Sequence, residues 1–458
     1  MIVVIGGGPA GMSAALEIAK SGVEVTLLDA APRLGGQYWR HLPDAWIRPS
    51  GAKYLYDQVK IFIDAVKESS HITYLPGAHV WSASNTGDGI CINYLKDNAE
   101  KSLVAQKIVI ATGAYDRALP FPGWDIPGVM TPGAAQALLK GSGVVVGKKI
   151  VVGGTGPFLL PVSLGLIGAG AHIVGIFEAN SPSKWITSLR AMILNSSKIW
   201  EGKYFLTKLR KEGAPLHFGK VIIAASPGSD GNLRSVTVAK INRNSSLRKG
   251  SEKIIECDVA AIGWGFVPDL SIAGALGCAQ KVDCDGTVIA CVDEKQLSSN
   301  PRVWIVGELT GIGGHELSLV EGAIAGQAIT GGAIDPALIK VRKRLQIFAR
   351  ALQRSYPVPQ SRHSWLTEDT TICRCEEVTY CDIRESVSAL GAMDARTSKL
   401  FTRAGMGLCQ GRMCTRNVSE IVAQLRATQV LDAERISSSN RPTAAPISLG
   451  ALSDGEKG

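Results

Sequence analysis

Short apolar runs rich in β-branched residues recur along the chain, separated by stretches in which apolar positions return every three to four residues. The first pattern predicts buried strands and the second amphipathic helices. Their alternation predicts an α/β architecture with parallel sheets. Strands are expected at Ile2–Ile5, Val23–Leu28, Lys107–Ala111, Lys149–Val152, His172–Phe177, Val259–Ile262 and Val303–Val306.

Glycine-rich turns follow two of these runs, at Gly6 and at Gly154, so two Rossmann-like units are expected, the second inserted in the first. The pattern reads as a discontinuous first domain over 1–115 and 300–334, with the inserted domain over 116–299. A connector at 335–366 carries a basic helix and then Tyr356-Pro357-Val358-Pro359, where proline forbids a regular helix. A small, mostly helical, cysteine-bearing domain is expected at 367–427, and a disordered tail rich in Ser, Pro, Ala and Gly at 428–458.

Composition narrows the functional class. Hydrophobic residues make up 45% and charged residues 19%, an ordinary globular balance. The net charge of +9 raises nucleic acid as a partner, but the basic residues are scattered and no nucleic-acid-binding motif accompanies them. The densest basic stretches, Lys340–Arg344 and Lys198–Lys211, read as solvated helix faces or a subunit contact. Met1 leads directly into the first strand without a basic leader, and Gly, Pro or charge breaks every long apolar run. A soluble cytoplasmic protein with no transmembrane segment is therefore expected. The 10 cysteines of a chain this long are not read as a disulfide framework, which leaves a metal site as the default for any cluster among them.

In Gly6-Gly7-Gly8-Pro9-Ala10-Gly11, glycine occupies all three positions of Gly-x-Gly-x-x-Gly, between a strand and a helix. Gly6 permits the tight turn, Gly8 lets backbone touch a pyrophosphate, and Gly11 lets helix pack closely on strand. The helix start, with Pro9 and Ala10, then turns its free N–H groups and positive dipole end toward phosphate. Asp29 ends the next strand, where a carboxylate accepts hydrogen bonds from ribose hydroxyls. This fingerprint alone does not separate FAD from NAD. Arg33-Leu34-Gly35-Gly36-Gln37, the strand ending in Thr112-Gly113, and the strand ending in Gly307-Glu308 favour FAD. The set resembles the two-dinucleotide-domain FAD oxidoreductases over about residues 1–330. That resemblance implies that Gly307 and Glu308 lie near the ribityl chain, with Glu where Asp is usual.

The second fingerprint, Gly154-Thr155-Gly156-Pro157-Phe158-Leu159, has Leu at its third position and Pro161 early in the helix, while Glu178 still ends the following strand. Binding of NAD(P)H, binding of a different adenine nucleotide, and a fold without any ligand all remain open. Neither the 37–60 segment nor the inserted domain offers a redox cysteine pair, so disulfide reductase activity is not expected.

Near the C-terminus, Cys373-Arg374-Cys375 is followed, after a helical interval, by Cys409 and Cys414 in a Cys-x₄-Cys spacing. Four thiolates in two close pairs suit a [2Fe-2S] cluster. Arg374, Arg412 and the glycines at 405, 407 and 411 are the residue types that would stabilise its negative charge. Structural zinc is the alternative. Cys381 reads as a packed free thiol, and Cys91, Cys257, Cys278, Cys284 and Cys291 as buried small hydrophobes. The cysteine segment resembles the bacterioferritin-associated-ferredoxin-like [2Fe-2S] domain.

The whole arrangement resembles the larger FAD/iron–sulfur subunit of bacterial amino-acid and opine dehydrogenases, a group that includes octopine, nopaline and hydroxyproline dehydrogenases and hydrogen cyanide synthase. The likeness includes Ala111-Thr112-Gly113-Ala114-Tyr115-Asp116-Arg117, Phe121-Pro122-Gly123-Trp124, Gly128-Val129-Met130-Thr131 and the cysteine spacing. It implies a multi-subunit enzyme in which a smaller, amino-acid-oxidase-like flavoprotein takes hydride from a substrate C–N unit. This chain would pass the electrons to a downstream acceptor. A third small subunit, and a second nucleotide or a flavin at a subunit interface, are compatible with that scheme. No catalytic acid or base is assigned to this chain. His315 is placed where it could approach the flavin or simply start a helix. Two rival readings are a self-contained NAD(P)H:acceptor oxidoreductase and a non-enzymatic redox-responsive sensor.

Overall fold

The computed structural model describes residues 1–42, 53–242, 244–438, 440–441 and 443–455. The chain forms two compact units. One comprises Met1–Tyr115, Val267–Arg350 and Ser439–Gly458; the other comprises Asp116–Phe266 and Ala351–Ser438.

The first unit is built on a five-stranded parallel sheet. Its strand order is Val303–Ile305, Lys107–Ile110, β1 (Ile2–Ile5), β2 (Val25–Asp29) and Ile72–Pro76. Both faces of the sheet are covered, which is why its strands are continuous apolar runs. On one face, helix α1 (Pro9–Lys20) packs against helix His315–Ile329. Small residues permit that contact: a Cβ on Gly322 would lie 2.1 Å from the Ala10 carbonyl oxygen. The other face is covered by a three-stranded antiparallel sheet, His79–Thr86, Gly89–Lys96 and Ala99–Ala105, whose Ile90 and Ile92 share a core with Val3, Ile5 and Ile108.

Residues 267–299, which the sequence pattern assigns to the insert, group with this first unit instead. Leu270, Ile272, Leu276 and Cys278 lie in the core beneath β1, so core membership moves the boundary to 266/267. The expected basic connector begins as a helix, Pro336–Ser355. It is not wholly a solvated face: Arg342 is 5% exposed and donates to the Glu294 carbonyl at 2.7 Å. The tail expected to be disordered contains helices Asp432–Ser437 and Leu449–Gly455, and the Ala444 N–H donates to the Trp81 carbonyl at 2.6 Å. Residues 456–458 of that tail lie outside the described residues.

The second unit repeats the parallel sheet. Its order is Leu216–Phe218, His172–Glu178, Lys149–Gly154, Val259–Gly263 and Val129–Met130. The basic helix Ser196–Lys211 exposes Ile199, Trp200 and Tyr204 along with its charges. The cysteine domain belongs to this unit. It is a hairpin, Thr371–Cys373 with Val378–Thr379, followed by helices Tyr380–Ser388, Ala395–Thr402 and Thr415–Leu425 around their own core. Thr379 and Asp382 form a capping box on the first of these helices. Among the described residues, no helix is long and apolar enough to cross a membrane.

Candidate cofactor sites

The first glycine turn has no room for side chains at Gly6 or Gly11. A Cβ on Gly6, at φ +109, would meet the Ala111 oxygen at 2.3 Å, and one on Gly11 would meet the Gly6 oxygen at 1.8 Å. Gly36, at φ +59, closes on Gly8: its Cβ would lie 2.9 Å from the Gly8 Cα. The backbone around Gly8 is thereby left bare, and no side chain caps the start of α1, where Pro9 occupies the first turn. Asp29 is 8% exposed. Its Oδ1 accepts the Ala31 N–H at 3.1 Å, but Oδ2 is buried without a hydrogen-bond partner of good geometry. Burial pushes its pKa up to about 6, against the N–H groups of Ala31 and Gly7 and against Arg40. A buried carboxylate oxygen with no well-aligned donor fits ribose hydroxyls.

Other expected contacts are placed differently. The Thr112 hydroxyl donates to the Asp269 carbonyl at 2.8 Å, and Asp269 N–H donates to Gly113 at 2.9 Å, so this strand end is bound to the returning chain. Arg33 is half-buried and Gln37 is exposed. Gly307, at φ +75, lies beside Ala10 and so brings its turn to the fingerprint. Glu308 turns back on its own chain: its carboxylate accepts the N–H groups of Gly314 at 2.8 Å and Gly313 at 3.2 Å. The methylene that distinguishes Glu from Asp supplies that reach. Burial pushes the Glu308 pKa up to about 7.

Glu321 escaped the sequence reading. It is 1% exposed and accepts the Gly307 N–H at 3.0 Å and the Thr310 hydroxyl at 2.9 Å, so it holds the Gly307 turn. Burial raises its pKa to about 7. Its only signal in the sequence is a lone carboxylate in the apolar stretch 317–326. His315 starts its helix and stacks on Tyr38, with ring centroids 4.0 Å apart.

The second glycine turn is occupied by its own chain. Helix Leu159–Gly168 starts five residues after Gly154, whereas α1 starts three after Gly6. Both oxygens of Glu178 are engaged: Oε2 accepts the Gly156 N–H at 2.8 Å, and Oε1 accepts from the Thr155 hydroxyl at 3.0 Å and the Asn180 N–H at 2.8 Å. Asn180 Nδ2 also donates to the Pro357 carbonyl at 3.0 Å, and the Thr155 hydroxyl faces the Tyr356 carbonyl at 3.4 Å. The connector therefore lies against the turn, and Thr155, Glu178 and Asn180 are all buried.

The four expected ligand cysteines converge. Cys373 ends the first hairpin strand, Cys375 sits in its turn, and Cys414 is the residue before helix Thr415–Leu425. Cys375 accepts the Cys409 N–H, yet burial, Cys409 and Cys373 push its pKa up. Burial, followed by Cys373, Cys409 and Cys375, raises that of Cys414. Among the described residues, no three ligating side chains are closed to coordinating distance, but Cys375 lies within electrostatic reach of Cys409 and Cys373, and Cys414 within reach of the other three. A cysteine set in which the neighbouring thiols oppose the ionisation of Cys375 and Cys414 fits a site whose charge is balanced by iron. Gly407 permits the closure: its Cβ would meet the Cys375 Cβ at 2.3 Å. Arg412 donates to the Cys409 carbonyl at 3.2 Å, while Arg374 lies over the Trp124 ring, 5.2 Å from its centroid. Cys257 and Cys278 are buried as expected, Cys91, Cys291 and Cys381 are half-buried, and Cys284 is exposed.

Residues 1–326 match the pyridine nucleotide-disulphide oxidoreductase family. The chain belongs to that family. Residues 371–424 of this oxidoreductase match the BFD-like [2Fe-2S] binding domain, so its cofactors are FAD and a [2Fe-2S] cluster. Hydrogen cyanide synthase subunit HcnB of Pseudomonas aeruginosa is 35% identical over 428 residues, covering 90% of each chain. An opine oxidase subunit of Rhizobium meliloti is 30% identical, covering 99% of this chain and 98% of that one. L-proline dehydrogenase from P. horikoshii shares the fold, with a TM-score of 0.68 at 20% identity over 98% of this chain and 78% of that one.

Proposed function

We propose that this oxidoreductase is the electron-transfer subunit of a multi-subunit dehydrogenase acting on a C–N bond of an amino acid, imino acid or opine. The hydrogen cyanide synthase and opine oxidase relatives are each one subunit of a larger enzyme. FAD supplies two-electron acceptance and the [2Fe-2S] cluster one-electron steps. The chain's own part is to hold them. Gly6, Gly8, Gly11 and Gly36 bare the backbone, Asp29 accepts from ribose, Glu321 orients the Gly307 turn, and Cys373, Cys375, Cys409 and Cys414 ligate iron. Hydride removal from substrate is assigned to a smaller flavoprotein partner. Reduced cysteine ligands suit a cytoplasmic location.

The contrast between the two glycine turns carries this reading. The first has a buried carboxylate oxygen with no well-aligned donor, while in the second every Glu178 oxygen is taken and the connector lies alongside. That favours electron entry from a partner over entry from NAD(P)H. The test is an anaerobic titration of the purified chain with NADH and NADPH, followed in the flavin band and by EPR. The expected result is no bleaching, with both centres reducible by dithionite. Rapid bleaching with a reduced-cluster signal would establish the self-contained reductase instead.

A further inference from the structure

One carboxylate in the second unit gathers four arginines. Glu420, on helix Thr415–Leu425, pairs through Oε2 with Arg362, and through Oε1 with Arg416 at 3.1 Å, Arg435 at 3.3 Å and Arg117 at 3.8 Å. Its side chain is 10% exposed and that of Arg117 is 7%. Burial alone would raise the Glu420 pKa, but Arg362, Arg117 and Arg416 hold it well below the usual carboxylate range, so it is ionised at any working pH. The partners come from separate stretches: Arg117 follows the strand Ala114–Asp116, Arg362 lies in the turn Gln360–Trp365, and Arg435 is on helix Asp432–Ser437. The same helix face adds Asn417, which donates to the Ala118 carbonyl at 3.2 Å, and Gln424, which meets His363 Nδ1 at 2.5 Å. Positions 417, 420 and 424 share one side of the helix. That side seats the cysteine domain against the inserted domain.

The helix begins directly after Cys414, six residues before Glu420, which puts the hub about 9 Å along the axis from an iron ligand. At that range, and shielded from water, a fixed charge acts on a redox centre. We propose that the Glu420–arginine hub both positions Cys414 and tunes the electron affinity of the cluster, its residues acting as positioning groups rather than ligands. The proposal rests on the cluster reading. In the reduction one electron enters and no bond forms or breaks; the centre becomes one charge more negative. A positive neighbour therefore favours the reduced form and a negative neighbour disfavours it.

The test is an EPR-monitored anaerobic redox titration of the full chain, with iron assayed in parallel, for wild type, E420Q, R117Q and R435Q. The midpoint should rise in E420Q and fall in R117Q and R435Q, by a change in electron affinity on the order of tenfold per charge, about 59 mV for a one-electron couple. Opposite signs are the signature, since a merely structural clamp moves every variant the same way or none. Should E420Q lose its iron, R435Q decides, because three arginine contacts remain around Glu420. An unchanged midpoint in iron-loaded R117Q and R435Q overturns the proposal. Wild-type chain with no iron and no EPR signal would overturn the cluster reading itself.

Discussion

Asp29 and Glu178, which are buried, and Glu420, which is nearly so, are three carboxylates with three different sets of partners. Asp29 has an oxygen without a well-aligned donor, Glu178 is saturated by its own turn, and Glu420 is saturated by arginine. Only the first is shaped to receive a ligand. D29N should weaken FAD binding by about 2 kcal/mol, roughly thirtyfold, the usual loss for a hydrogen bond to a charged group; flavin fluorescence on reconstitution measures it. Glu321 makes a prediction about pH. Burial lifts its pKa from 4.5 to about 7, so the folded chain binds this proton more tightly than the unfolded chain. Its contribution is fully present below pH 4.5 and is lost as pH rises to about 7. Urea unfolding of the flavin-free chain at pH 5 and pH 8 should therefore show a smaller loss in E321Q than in wild type, by on the order of 2 kcal/mol. The place of Asp29 at the end of β2 was legible in the sequence because it follows from strand, turn and spacing. Glu321 and Glu420 were not, because nothing local shows which buried N–H or guanidinium a fold will bring to a carboxylate.

At the level of elements, the two glycines of the first turn separate packing from binding. G11A drives a Cβ to 1.8 Å from the Gly6 oxygen and forces α1 off β1, so Tm and flavin content should fall together. G8A meets nothing closer than 3.9 Å, so Tm should hold while flavin is lost. Thermal melts and flavin absorbance of the two variants check this. Leu159 and Pro161 already marked the second turn as irregular. That Tyr356 and Pro357 lie beside it was hidden, since some two hundred residues separate them in the chain. The domain boundary was misplaced for a related reason. Residues 267–299 follow the insert in sequence, yet Leu270 and Ile272 bury their surface in the first unit's core.

For the whole molecule, separate cores imply separable cofactors. The cysteine domain has its own cluster of buried residues around Ile372, Ile383 and Ile421, distinct from the cores around β1. C409S should lose the iron and the EPR signal while keeping FAD, as read by iron assay and flavin absorbance on one preparation. The sequence by itself determined the α/β class and the places of both glycine turns, of the acid ending β2 and of the two cysteine pairs, because each rests on short-range rules of strand period, turn conformation and residue spacing. Tertiary structure alone decided which glycine turn is left open, that Glu308 accepts the Gly313 and Gly314 N–H groups while Glu321 holds the Gly307 turn, and that arginines from three stretches meet Glu420. Those outcomes depend on which distant groups share a low-dielectric interior, and that is set by how the chain packs.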